Sequence, residues 1–127
     1  MTNYLNSVLV EGQIVAAPLF RTLDDYLLDD SPDKGKTVCQ FTIESTRLVE
    51  KQTGIETEIS FFDVEAWGSL AELCRQQGRK NMEVRVIGKL KQVRWLGESE
   101  ETLSKVIIVA EHIELPIGKK QGEEQEE

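Results

Sequence analysis

The stretch Phe61-Phe62-Asp63-Val64-Glu65-Ala66-Trp67 alternates in an unusual way. In an extended strand, successive side chains point to opposite sides. Phe62, Val64 and Ala66 therefore share one face, apolar enough to enter a core. Phe61 and Trp67 share the other with Asp63 and Glu65, two groups that need water. Large rings set among charges do not belong in a core. They form an outward platform for flat molecules, or they cover a loop or a contact with another subunit.

Working outward, Ser7 to Val15 alternates, with Val8, Val10, Gly12 and Ile14 on one side and Ser7, Glu11 and Gln13 on the other. That pattern predicts a half-buried strand, closed by Pro18. Val38 to Leu48 predicts a second, with Cys39, Phe41 and Ile43 facing in. Glu50 to Glu58, around Gly54, reads as a hairpin turn leading to the aromatic strand. Ser69 and Glu72 fit a capping box at the start of a short helix. Leu70, Leu73 and Cys74 give it an apolar stripe, and Gly78 suits a left-handed stop. Met82 to Trp95 predicts a fourth strand with Val84, Val86 and Leu90 inward and a bulge or bend at Gly88. Leu103 to Leu115 is the fifth. In its run Val106-Ile107-Ile108-Val109-Ala110 both faces are apolar, through contact with a second subunit or cover within its own domain.

The order is all-β: five strands, with one short α-helix between strands 3 and 4. It matches a five-stranded OB-fold barrel, a fold that commonly binds single strands across its face and loops. A small sandwich is the alternative. The chain has 127 residues, enough for one domain with its own core. The expected division is a barrel domain over residues 1–117 and an acidic, disordered tail over 118–127, where four Glu and two Lys stand without an apolar side chain.

The net charge of −8 argues at first sight against a nucleic-acid partner. Its distribution weakens that argument. Asp24, Asp25, Asp29, Asp30 and Asp33 crowd one loop-like stretch, whereas Arg75 to Arg94 holds seven basic residues and a single acid, Glu83. On the fourth strand Arg85, Lys89, Lys91 and Trp95 share a parity, although a bulge at Gly88 would shift Arg85. Cations can follow phosphates while an indole accepts a base on its face. Trp95 capping the barrel end among ordinary surface lysines is the competing reading.

These pieces, in order, resemble the bacterial single-stranded-DNA-binding protein family. The resemblance runs through Asn6-x-Val8-x-Val10-x-Gly12, Pro18 with Arg21, and Val38-x-x-Phe41-Thr42-Ile43. It continues through Phe61, Trp67-Gly68-x-Leu70-Ala71-Glu72, Val84-x-Val86-x-Gly88-x-Leu90, Trp95 and Val106-x-Ile108. It implies an OB-fold that coats single-stranded DNA in replication, repair and recombination, usually as a homotetramer. Phe61, Trp67 and Trp95 stand where that family places stacking aromatics. Arg21, Arg47, Lys91 and Arg94 match its backbone contacts by position, while Arg85 and Lys89 rest on strand parity alone. Several features depart from the pattern. No aromatic stands near Leu48 and Val49, and Asp63 and Glu65 bring negative charge to the platform, which predicts weaker phosphate attraction. The Asp-rich stretch is long, and the closing Gln121 to Glu127 lacks an apolar tip for recruiting protein partners.

Catalysis finds little in this chain. The single histidine, His112, has one same-face carboxylate, Glu114, which falls short of a metal-ligand set. No phosphate-loop, zinc-protease or serine-hydrolase motif is present. Cys39 and Cys74 stand 35 positions apart; Cys39 reads as a small core residue and Cys74 as a helix residue, which suits a reducing cytoplasm. The longest apolar run is five residues, so no membrane-spanning helix is expected. No cofactor is expected. A protein-interaction OB module, such as a replication or primosome accessory, is the alternative function.

Overall fold

A computed structural model describes residues 2–22 and 36–117. The Asp-rich stretch 24–33 and the expected tail 118–127 lie outside the described residues. The chain runs β1 (Val8–Ile14), β2 (Leu19–Thr22), β3 (Thr37–Lys51), β4 (Gly54–Trp67), α1 (Ser69–Gln77), β5 (Glu83–Leu96) and β6 (Thr102–Glu114). The strands pair in the order β1-β5-β6-β4-β3-β2, and a further β1–β3 pairing closes the barrel. β2 was not expected. It continues the first strand beyond Pro18 and pairs Leu19–Thr22 with Gln40–Thr37. The closed sheet is therefore a five-stranded barrel whose first strand is broken in two.

Closure depends on two close backbone approaches. At the end of β1, Gln13 and Ile14 pair with Glu44 and Ile43 of β3, while Gly12 faces Val84 of β5. A Cβ on Gly12 would lie 2.5 Å from the carbonyl oxygen of Glu44. At Gly88 a Cβ would overlap the carbonyl oxygen of Val109. The β5–β6 register shifts here: Ile87 faces His112 and Gly88 faces Ala110, so the extra residue is Glu111 on β6. The expected irregularity at Gly88 is present, with the bulged residue on the neighbouring strand. β5 therefore keeps its own alternation.

The core holds the side chains that the alternation selected. Ile14, Cys39, Phe41, Ile43, Val64, Ala66, Val84 and Val86 are buried, joined by Ile108, Ala110 and Ile113 of β6. Ile107 and Ile108 are both buried within this one chain. α1 closes one end of the barrel with Ala71 and Cys74. Cys74 and Cys39 hydrogen-bond to each other, and burial pushes the Cys74 thiol up to about 12.

Four local expectations need correction. The helix is capped by Gly68, at φ 61°, with no side-chain cap bond. Ser69 lies inside the helix, and the Glu72 carboxylate takes two bonds from Arg75 at 3.1 and 3.2 Å instead of reaching back. Gly78 is extended rather than left-handed, and its N–H bonds the Cys74 carbonyl at 2.8 Å. The expected turn at 50–58 is nearly all strand, since β3 and β4 pair without interruption to Lys51↔Gly54. Leu90 is 46% exposed rather than inward, because β5 there leaves the barrel. The Asn6 side chain holds that point, donating to the Leu90 carbonyl at 2.8 Å and accepting its N–H at 2.9 Å.

Candidate nucleic-acid interface

Strand register assembles one continuous outer face from β3, β4, β6 and β5. Paired residues share a face of a sheet. On β4, Phe61, Asp63, Glu65 and Trp67 point outward, opposite Glu44, Thr42, Gln40 and Val38 of β3. β4 pairs in parallel with β6, placing Glu65 beside Val109. β6 pairs with β5, placing Val109, Ile107, Lys105 and Leu103 beside Lys89, Lys91, Val93 and Trp95. Phe61, Trp67, Trp95, Lys89 and Lys91 therefore occupy the same side of the barrel. β2 adds Arg21, which pairs with Val38 next to Trp67.

The rings stand in solvent. Phe61 is 62% exposed and Trp95 is 46% exposed, while Trp67 is half-buried. Phe61 and Trp67, six residues apart on one strand, are separated by about 20 Å. Phe62 points to the barrel side opposite Ile43, at the barrel mouth, and keeps 36% exposure there.

Asp63 and Glu65 do not confront the platform as bare charges. Thr42 Oγ1 donates to Asp63 Oδ1 at 2.7 Å and Lys105 Nζ donates to Asp63 Oδ2 at 3.0 Å. The Thr42 bond, followed by Lys105, holds the Asp63 carboxyl below its usual range. Trp67 Nε1 donates to Glu65 Oε1 at 3.1 Å, which fixes the indole on the sheet. Gln40 Nε2 donates to Glu65 Oε2 at 3.4 Å, and Arg21 Nη2 donates to Gln40 Oε1 at 3.0 Å. A hydrogen-bonded row from Arg21 to Trp67 thus crosses β2, β3 and β4.

Three proposed contacts lie elsewhere. Arg47 pairs with Glu58 on the side of the β3–β4 hairpin opposite Phe61. There it lines a groove of about 950 Å³ shared with Glu11 and Gln13 of β1. Arg94 pairs with Ser104 on the side of the β5–β6 hairpin opposite Trp95, and bonds Gln92 Oε1 at 2.7 Å. Arg85 is held between Glu11 at 2.6 Å and Glu114 at 3.1 Å. Its parity places it outside the barrel, but two carboxylates already occupy its guanidinium.

Lys105 escaped the sequence reading, although it ties the β5–β6 hairpin to β4. Its parity with Ile107 and Val109 was visible. Its distance from Asp63 depends on a pairing between distant strands that no local signal reveals. His112 Nε2 lies 3.8 Å from Glu114 Oε2. Among the described residues no three His, Cys, Asp or Glu side chains come together to hold a metal.

A family model described as the Single-strand binding protein family matches residues 5–116. The chain belongs to that family. A Single-stranded DNA-binding protein of Aquifex aeolicus is 34% identical over 128 residues, covering 97% of this chain and 80% of the relative. The Single-stranded DNA-binding protein 2 of Chlorobaculum tepidum is 30% identical over 125 residues, covering 97% and 79%. Among solved structures, the Plasmodium falciparum SSB complex with ssDNA aligns with TM-score 0.73 at 15% identity, covering 91% of this chain and 96% of that one. The small single-stranded DNA-binding protein of Streptomyces coelicolor aligns at 0.66 with 20% identity, covering 91% and 97%. At such identities these two likenesses establish the OB-fold. Membership of the family rests on the sequence matches.

Proposed function

We propose that this chain binds and covers single-stranded DNA without regard to overall sequence, and does no chemistry on it. The observation that carries this reading is the single outer face bearing Phe61, Trp67 and Trp95 together with Lys89 and Lys91. Bases stack on the rings, each worth about 1–3 kcal/mol, because every base has a π-face. Lys89, Lys91 and Arg21 attract the backbone. The paired states of Asp63 and Glu65 reduce the repulsion that their charges alone would bring.

The family supports further expectations: assembly as a homotetramer, work in replication, repair and recombination, and a cytoplasmic, nucleoid-associated location. A barrel domain over 1–117 followed by a short acidic tail belongs to the same proposal. Membership of the family favours DNA over a protein-interaction module as the ligand of the exposed rings. Fluorescence anisotropy of labelled oligo(dT) tests the reading. Added protein should raise the anisotropy of the labelled strand saturably, and unlabelled duplex of the same length should compete poorly. Equal competition by duplex would defeat it, since paired bases cannot lie on the rings.

A further inference from the structure

Trp95 belongs to the β5–β6 hairpin, whereas Phe61 and Trp67 stand on β4, so the track between the rings depends on how the two elements sit together. The backbone ladder that joins them is short. β4 and β6 pair at Val64↔Ile108 and Glu65↔Val109, at the barrel end of the hairpin. Further out on β6, Lys105 and Leu103 have no backbone partner on β4 and pair only with Val93 and Trp95 of β5. A cavity of about 450 Å³ opens between the elements, lined by Val93, Lys105 and Ile107 of the hairpin and by Thr42, Asp63 and Glu65 of β3 and β4. A side-chain link crosses this gap. Lys105 Nζ donates to Asp63 Oδ2 at 3.0 Å, and Asp63 Oδ1 accepts from Thr42 Oγ1 at 2.7 Å. Thr42, Asp63 and Lys105 thus tie β3, β4 and β6 together, two residues from Leu103, the register partner of Trp95.

Resting on the single-stranded-DNA reading above, we propose that Lys105 is a positioning residue. Through Asp63 it holds the β5–β6 hairpin to β4, and so fixes the spacing of Trp95 from Phe61 and Trp67. The cations of this face divide accordingly. Lys89 and Lys91 make no ion pair among the described residues, which leaves their ammonium groups open to phosphate. The charge of Lys105 is committed to Asp63 instead. A base gains from a ring only where that ring is held within reach. A hairpin free to swing must be ordered at the moment of binding, and that ordering lowers affinity. Both side chains of the pair are about half exposed, so the clasp is weak and its effect on binding is modest.

Charge and position predict opposite signs at Asp63. As a bare negative charge beside the track, Asp63 repels phosphate, so its loss alone would tighten binding. As the anchor of Lys105, its loss weakens binding. The test is the anisotropy of fluorescein-labelled oligo(dT) titrated with the full chain, each variant first matched to the wild type by circular dichroism. Asp63→Ala and Lys105→Met should each bind roughly threefold more weakly than the wild type. Lys105→Arg, which keeps the ion pair, should bind as the wild type does. The salt slope of Lys105→Met should equal that of the wild type, whereas a lost phosphate contact would make it shallower by about 0.7. Unchanged or tighter binding by Asp63→Ala, or a shallower slope in Lys105→Met, would overturn the positioning role and leave general binding intact. If the wild type does not bind labelled oligo(dT) at all, the positioning role and the proposed function fall together.

Discussion

The β3–β4 hairpin is one ladder with two characters. Near the barrel, Cys39, Phe41 and Ile43 lie opposite Ala66, Val64 and Phe62, and all but Phe62 are buried. Beyond Ser45 on β3 and Ser60 on β4 the pairing continues unbroken, yet no side chain from Thr46 to Ile59 is buried. Backbone pairing is the same in both halves, so hydrogen bonds alone do not distinguish them. Apolar burial stabilises the barrel half, at about 25 cal/mol per Å² removed from water. The outer half takes its order from the anchored ladder, since an isolated two-stranded hairpin is marginal in water. Its side chains are left available for contact with something else. Leu48, at 73% exposure, Ile55 and Ile59 continue on the Phe61 side of the hairpin.

The sharpest way to break this comparison is truncation on each half. Phe41→Ala should cost about 3–5 kcal/mol in urea unfolding. Leu48→Ala should stay within about 0.5 kcal/mol. Similar losses at the two sites would mean that the outer half carries a core of its own. Gly88→Ala sharpens the barrel side of the contrast. Its Cβ would overlap the Val109 carbonyl, so a loss of about 1–3 kcal/mol is expected from the same unfolding curve.

On the exposed face, Trp95→Ala should weaken oligo(dT) binding by about 1–3 kcal/mol while leaving the unfolding midpoint in place. A collapsed midpoint would make that ring structural. Lys91→Ala should weaken binding to every sequence alike and make the salt slope shallower by about 0.7, the share of one phosphate on a single strand. The smallest effect belongs to Asp63. Its folded-state pKa is depressed by Thr42 and Lys105, so its contribution is complete above the ordinary value of 3.8 and is lost as pH falls through the lower folded value. With the Asp63 and Lys105 side chains about half exposed, screening limits this to about 0.5 kcal/mol. Comparing acid unfolding of the wild type with Asp63→Asn measures it.

The barrel was legible because its strands contrast sharply at period two. Val64 and Ala66 against Asp63 and Glu65 leave one possible inward face, and Val84 and Val86 repeat the lesson on β5. The outer hairpin was not legible, because its mostly polar residues bury nothing and Gly54 resembles a loop. Leu90 misled for the related reason that alternation continues after the strand has left the core. At the helix start the local motif lost to a competitor, since Arg75 claims Glu72 and Gly68 supplies the turn. The exposed rings and the parity of Lys89 and Lys91 could be read from single strands. The partners of Asp63 and Glu65 could not, because Thr42, Gln40 and Lys105 reach them only through register between strands distant in sequence.

Tryptophan emission gives the most direct test, because Trp67 and Trp95 are the only indoles and both stand on the outer face. Titration with oligo(dT) at two salt concentrations should quench that emission saturably, with weaker binding at the higher salt. Emission that stays unchanged at micromolar oligonucleotide in low salt would contradict the account.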